Sequence, residues 1–106
     1  MFIALYRWKV KEGQEQNFQA GWHRRTGEIY QHCGSLGSRL HQADDGIWVA
    51  YAQWPDRRTY EKAQSIPVID AEARMTFRES IEEAYPDIYM NVVDDLLQPA
   101  TFIKEA

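Results

Sequence analysis

The stretch IWVAYAQWPD, residues 47–56, limits what this chain can fold into more than any other. Side chains of a strand point alternately to opposite faces. Read that way, Ile47, Val49 and Tyr51 face one side and Trp48, Ala50, Ala52 and Trp54 the other, so both faces are apolar. A small antiparallel sheet usually keeps one face in water. Here both need cover, and 106 residues supply one domain, residues 1–106, that buries about 60–70% of its unfolded surface.

The remaining pattern says where the first cover comes from. Phe2, Ala4, Tyr6, Trp8 and Val10 alternate with Ile3, Leu5, Arg7 and Lys9 in a first strand ended by Glu12-Gly13. From Gln14, Phe18, Trp22, Ile29 and Cys33 recur along one stripe of a 3.6-residue period, and Gly34 is a left-handed stop, which predicts one long amphipathic helix. SLGSRLHQ then forms a hairpin with the opening stretch through Asp44-Asp45-Gly46. Asp56 caps a short helix that carries Tyr60 and Ala63 and ends near Gln64, before Pro67. Asp70 caps another, whose stripe Ala73, Phe77, Ile81 and Ala84 predicts a helix continuing to Pro86-Asp87, after which Ile88 to Leu97 resumes strand character, interrupted by Asp94-Asp95.

The order β, α, β, β, α, α, β predicts an α+β, ferredoxin-like split βαβ fold: a four-stranded antiparallel sheet with helices on one face. The other face, with residues such as Ile3, Leu5, Ile47 and Val49 or else their opposites on the same strands, would then be an exposed apolar patch. A second copy of the chain covers such a patch at least cost, because a two-fold axis lets one surface meet itself. The expectation is a homodimer with two sheets face to face.

Composition excludes several functions. Net charge is −4, and the basic pairs Arg24-Arg25 and Arg57-Arg58 read as solvated helix faces, so no nucleic acid is expected. No apolar run approaches the ~20 residues of a membrane span, and the N-terminus has no signal-peptide pattern, so the expected place is the cytoplasm. Cys33 is the single cysteine, read as a half-buried helix residue. His23, His32 and His41 are scattered without partners at ligand spacing, which argues against a metal, and the glycines of CGSLGSR precede a strand, which argues against a nucleotide cofactor. Glu79, Glu82 and Glu83 read as a solvated face.

Four segments together, the first strand ending in EG, EQNFQAGWHRR, GSLGSRL and VAYAQWPDRRTYEKA, resemble the antibiotic biosynthesis monooxygenase family of dimeric α/β barrels over roughly residues 1–97. The resemblance implies oxidation of an electron-rich phenol, hydroquinone or anthrone to a quinone by O₂, without flavin or metal. In the quinone-forming branch an Asn, a Trp and a Tyr act together; Trp54 and Tyr60 stand where that Trp and Tyr are expected, and Ala50 stands in the Asn position. The haem-degrading branch uses an Asn in the first strand, a Trp at the hairpin end and a His in the late helix. Trp54 fits that pattern, but Tyr6 stands at the Asn position and no His occurs between Ile66 and Glu83. No cofactor is expected.

Aromatics make up 13% of the chain and gather where sheet and helices would meet, which suits either a core or an apolar cleft. The candidate site assigns Trp54 and Tyr60 to orient and hydrogen-bond the substrate's oxygens, with Tyr6 assisting. Trp22 and Phe77 form the walls, and Arg39, His41 and Arg74 are polar groups at the rim. Two other functions fit the same residues: a dimer that binds a small molecule without converting it, and a cofactor-free isomerase with His41 or His23 as base.

Overall fold

The computed structural model describes residues 1–98; residues 99–106 of the expected domain lie outside them. Strand β1 (Phe2–Val10) leads to the long helix α1 (Glu15–His32), the hairpin β2 (Ser38–Gln42) and β3 (Trp48–Trp54), and helices α2 (Arg57–Ala63) and α3 (Ala71–Glu79). Two short strands follow, β4 (Ile81–Ala84) and β5 (Ile88–Asn91). The antiparallel sheet runs β2-β3-β1-β4, with β5 also on β1. It is the expected α+β ferredoxin-like arrangement, with the helices packed on one face.

Local signals place most boundaries where the sequence puts them. Asp56 accepts the Thr59 N–H at 2.7 Å and Asp70 the Ala73 N–H at 3.0 Å, so each carboxylate caps its helix. Gly34 holds φ +80° just past α1, and a Cβ there would also lie 2.9 Å from the Thr59 methyl. Register fixes the faces: Phe2 pairs with Trp54, Ala4 with Ala52, Tyr6 with Ala50 and Trp8 with Trp48, and all eight point toward the helices. Ile3, Leu5, Val49 and Tyr51 point away, but they do not form the open patch expected: Ile3 is buried at 2% exposure and the other three are half-buried.

Two boundaries differ from expectation. The stripe Ala73, Phe77, Ile81, Ala84 does not continue as helix: α3 stops at Glu79, and 81–84 is strand β4. Ser80 is buried, its hydroxyl donates to Phe77 O at 2.6 Å, and its own carbonyl accepts from Lys11 N at 2.9 Å. The open edge of β1 captures the chain there, pairing Ile81 with Val10 and Ala84 with Trp8. An apolar residue every fourth position cannot register that competition, because Ile81 faces inward in either conformation. The last strand also ends at Asn91 rather than Leu97. Asn91 pairs with Phe2, the first residue of β1, and Val92 N donates to Met1 O at 3.0 Å. The place beside β1 expected for the single strand 88–97 is therefore filled by two short ones, β4 from the segment expected as helix and β5, separated at Tyr85-Pro86-Asp87, where proline removes a ladder donor. The sheet has five strands, not four.

Helices α1 and α3 approach closely at Gly21, where a Cβ would lie 2.8–2.9 Å from backbone and Cβ atoms of Phe77. Gly21→Ala should therefore push the helices apart and destabilise the fold by about 1–3 kcal/mol; the midpoint of urea unfolding measures it.

Candidate active site

The helix-facing side of the sheet has rings at its ends and little bulk in its middle. Between Trp48 and Trp54, Ala50 and Ala52 lie opposite Tyr6 and Ala4 on one flank and Leu40 and Ser38 on the other. Helices laid over that dip leave a cavity of about 530 Å³, within the roughly 300–1,000 Å³ typical of small-molecule sites. Tyr6, Ala50 and Trp54 belong to its floor, Trp22 and Phe77 to its helical wall, and residues 64–68 border it. Trp8 stacks on Tyr6 (centroids 5.8 Å apart, planes at 15°) and meets Phe77 edge-on at 5.3 Å, so these three rings interlock floor and wall.

Four residues named from the sequence, Tyr6, Trp22, Trp54 and Phe77, thus surround one space, with Arg74 beside them. Tyr60 is not in the lining. Its ring packs behind the wall, edge-on to Trp54 at 5.5 Å and tilted on Phe2 at 5.2 Å. Arg39 is not brought to the cavity: it pairs with Tyr51 and so belongs to the opposite face, as does His41. These two and His23 border a separate shallow groove between α1 and β2. Arg24-Arg25 is more than a solvated surface, since Arg24 makes a two-pronged contact with Asp70 (2.8 and 3.1 Å) and Arg25 is half-buried in the cavity wall. Arg57 likewise lies over the Phe2 ring at 4.6 Å. Cys33 also lines the cavity, and burial pushes its thiol up, so it remains protonated.

A row of hydroxyls leads from the cavity to the surface. Tyr89, which the sequence reading did not single out although period 2 in IYMN puts it on the helix side, shares a 3.1 Å hydrogen bond with Tyr60 and donates to the Asp87 carboxylate at 3.3 Å. Tyr6 lies beyond Tyr60, close enough for each hydroxyl to perturb the other but without a direct hydrogen bond between them in the free protein. Burial pushes Tyr6 up to about 12, outweighing its contact with Tyr60. Burial also raises Tyr60, and the hydrogen bond from Tyr60 is the main cause of a raised Tyr89. All three are neutral donors near pH 7. Trp54 adds one more: its Nε1–H is buried without an acceptor, which costs about 1–3 kcal/mol in the free protein.

The border of the cavity is tied to α1 by Glu28. Its carboxylate accepts from Ile69 N at 2.6 Å and Asp70 N at 3.3 Å and pairs with Arg25 at 3.4 Å. Burial alone would raise this carboxyl, but the two amides and the guanidinium outweigh it and hold it below its usual value. A group depressed on folding contributes stability that is complete above its unfolded pKa and is lost as pH falls through the folded one. Acidification below about pH 4.5 should therefore loosen the wild type, and Glu28→Gln, already lacking that contribution, should show a shallower loss in denaturation midpoints read across the same range.

Among the described residues no three His, Cys, Asp or Glu side chains gather as a metal site, and no helix is long and apolar enough to cross a membrane. A sequence profile of the antibiotic biosynthesis monooxygenase family matches residues 1–68, more than half the chain. The chain belongs to that family. Solved structures agree on the family's fold. SnoaB, a cofactor-independent oxygenase from Streptomyces nogalater, is similar with a TM-score of 0.74 at 15% identity, over 92% of this chain and 97% of its own. Rv0793 from Mycobacterium tuberculosis has a TM-score of 0.71 at 12% identity, over 91% and 98%. No curated protein sequence matches the chain.

Proposed function

We propose that the protein oxidises a flat, electron-rich aromatic, an anthrone or related phenol, to a quinone with O₂ and without a cofactor. The observation that carries this reading is the ring-walled cavity whose floor includes Tyr6, a neutral hydroxyl donor, and the ring of Trp54. Membership of the family and the likeness to SnoaB support it. A ring methylene loses a proton, the resulting anion gives electrons to O₂, a C–O bond forms, and the second oxygen leaves as water: CH₂ + O₂ becomes C=O + H₂O. The cavity excludes water, and donors aimed at the substrate's oxygen favour its anion. With its raised pKa, Tyr6 acts as a donor, and takes the substrate proton only as it passes its own through Tyr60 and Tyr89 toward Asp87. In this account Tyr60 is a positioning and relay group. Trp22 and Phe77 hold the ring plane.

A non-catalytic binding dimer is the second reading, favoured by Ala50 standing where the quinone-forming branch has its amide. Quenching of tryptophan fluorescence by an anthrone, followed by product analysis, separates the two. Quenching with quinone formation above the uncatalysed rate supports the oxygenase; quenching without it supports the binding dimer; no quenching rejects both.

The functional unit we infer is a homodimer of single-domain chains working in the cytoplasm. The sheet face away from the helices presents Leu5, Val49, Tyr51 and Met90, and beyond β5 the side chains of Val93, Leu96 and Leu97 are 95%, 84% and 77% exposed. Apolar residues so exposed suit burial against a second copy. Light scattering should give twice the mass of one chain; a single-chain mass at micromolar concentration rejects the dimer.

A further inference from the structure

The chain carries 16 acidic and 12 basic side chains, so a wall drawn at random would hold more carboxylates than guanidiniums. The cavity reverses this. Arg25, Arg74 and Arg78 line it, and no Asp or Glu does. All three come from the helices, across the cavity from Tyr6 and Trp54 on the sheet.

Arg25 is answered from outside the lining by Glu28 at 3.4 Å. Arg74 and Arg78 are not: among the described residues neither has a carboxylate within 4.0 Å, as is also true of most basic side chains outside the cavity. They stand one turn apart on α3, a spacing at which like charges repel, and Arg74 is half-buried as well. Between them on the same helix, Phe77 offers its ring to the cavity. Repulsion works against this pair in the empty protein, and desolvation against Arg74 within it, so folding gives no reason for it. A ligand does, because a guanidinium presents donors in a planar fork that fits a carboxylate in two-pronged fashion, and a low-dielectric cleft focuses the field of unneutralised charge.

We propose that the substrate carries an ionised carboxylate that docks at Arg74 and Arg78 while its rings lie against Phe77, their oxidisable end toward Tyr6 and Trp54. The inference rests on the aromatic-oxygenase reading of the same cavity and deepens it: the two guanidiniums select which aromatics are taken and fix which end meets the sheet.

The test compares three probes, an anthrone carboxylic acid, its methyl ester and the unsubstituted anthrone, by quenching of tryptophan fluorescence in the wild type, in Arg78→Gln and in the double variant Arg74→Gln/Arg78→Gln. The acid should bind the wild type about ten- to a hundredfold more tightly than the ester. That advantage should shrink from about 0.05 M to about 0.5 M salt, fall in Arg78→Gln, and vanish in the double variant, while the affinity of the unsubstituted ring stays level. Arg78 is exposed, so its single variant keeps the question open to test if the double variant does not fold. Equal binding of acid and ester, or an acid advantage that survives the double substitution, overturns the carboxylate site and leaves the aromatic cavity standing. Failure of all three probes to bind folded protein overturns both.

Discussion

Tyr6→Phe is expected to lower the rate of quinone formation by about 10²- to 10⁴-fold, with a change in folding stability of only about 0.5–1.5 kcal/mol. The ring remains, stacked on Trp8, so the floor keeps its shape and substrate affinity should change little. What is lost is the first hydroxyl of the row that ends at Asp87. The pH profile separates this from a structural effect. If Tyr6 helps to remove the substrate's proton, the defect should narrow as pH rises toward the substrate's own pKa, where the anion forms unaided. Tyr89→Phe should show a smaller defect with the same narrowing, because it interrupts the row beyond Tyr60. A Tyr6→Phe enzyme with wild-type kcat would remove the row from the mechanism.

The second large effect concerns Trp54, where two substitutions are expected to part company. Trp54→Ala empties a buried site bounded by Tyr60 and should destabilise the fold by about 3–5 kcal/mol. Trp54→Phe keeps an aromatic ring and removes the buried N–H that lacks an acceptor. The lost contact is offset by the removed desolvation penalty, so its stability should stay within about 1.5 kcal/mol of wild type. Its oxygenase rate should nevertheless fall by about tenfold or more, on the account that the bound substrate's oxygen becomes the acceptor this N–H lacks in the free protein. Urea unfolding and steady-state kinetics on the same two variants provide the comparison. A Trp54→Phe protein as unstable as Trp54→Ala would mean that the indole N–H already has a partner.

What the residues disclosed in advance follows the range of the interactions involved. Alternation in β1 and β3 is local, and it assigned both sheet faces. Asp56 and Asp70 cap helices through contacts three residues away, so those starts were legible too. The end of α3 was not, because it depends on the open edge of β1, some seventy residues back in the chain, capturing Ile81. The end of β5 was hidden for a similar reason: it is set by its register on Phe2–Leu5 of β1, and nothing inside 88–97 gives that register. Of the cavity lining, Tyr6, Trp22, Trp54 and Phe77 were legible because large rings announce themselves. Arg39 was misplaced because SRLHQ is polar on both faces and only its register against β3, Ser38 opposite Ala52, decides which side it takes. Arg25 and Arg78 sit in helices rich in charge, where one cavity-facing guanidinium looks like any solvated one. The cavity itself comes from Ala50, Ala52 and Ser38, small residues on two strands whose juxtaposition exists only once the hairpin has formed.

The most direct test of the central claim is oxygen uptake by metal-stripped, flavin-free protein given an anthrone and ¹⁸O-labelled O₂, against a heat-denatured control for spontaneous oxidation. The account predicts uptake above the control, with one labelled oxygen in the quinone carbonyl and the other in water. Uptake no faster than the control, in protein that is folded and binds the anthrone, would contradict it.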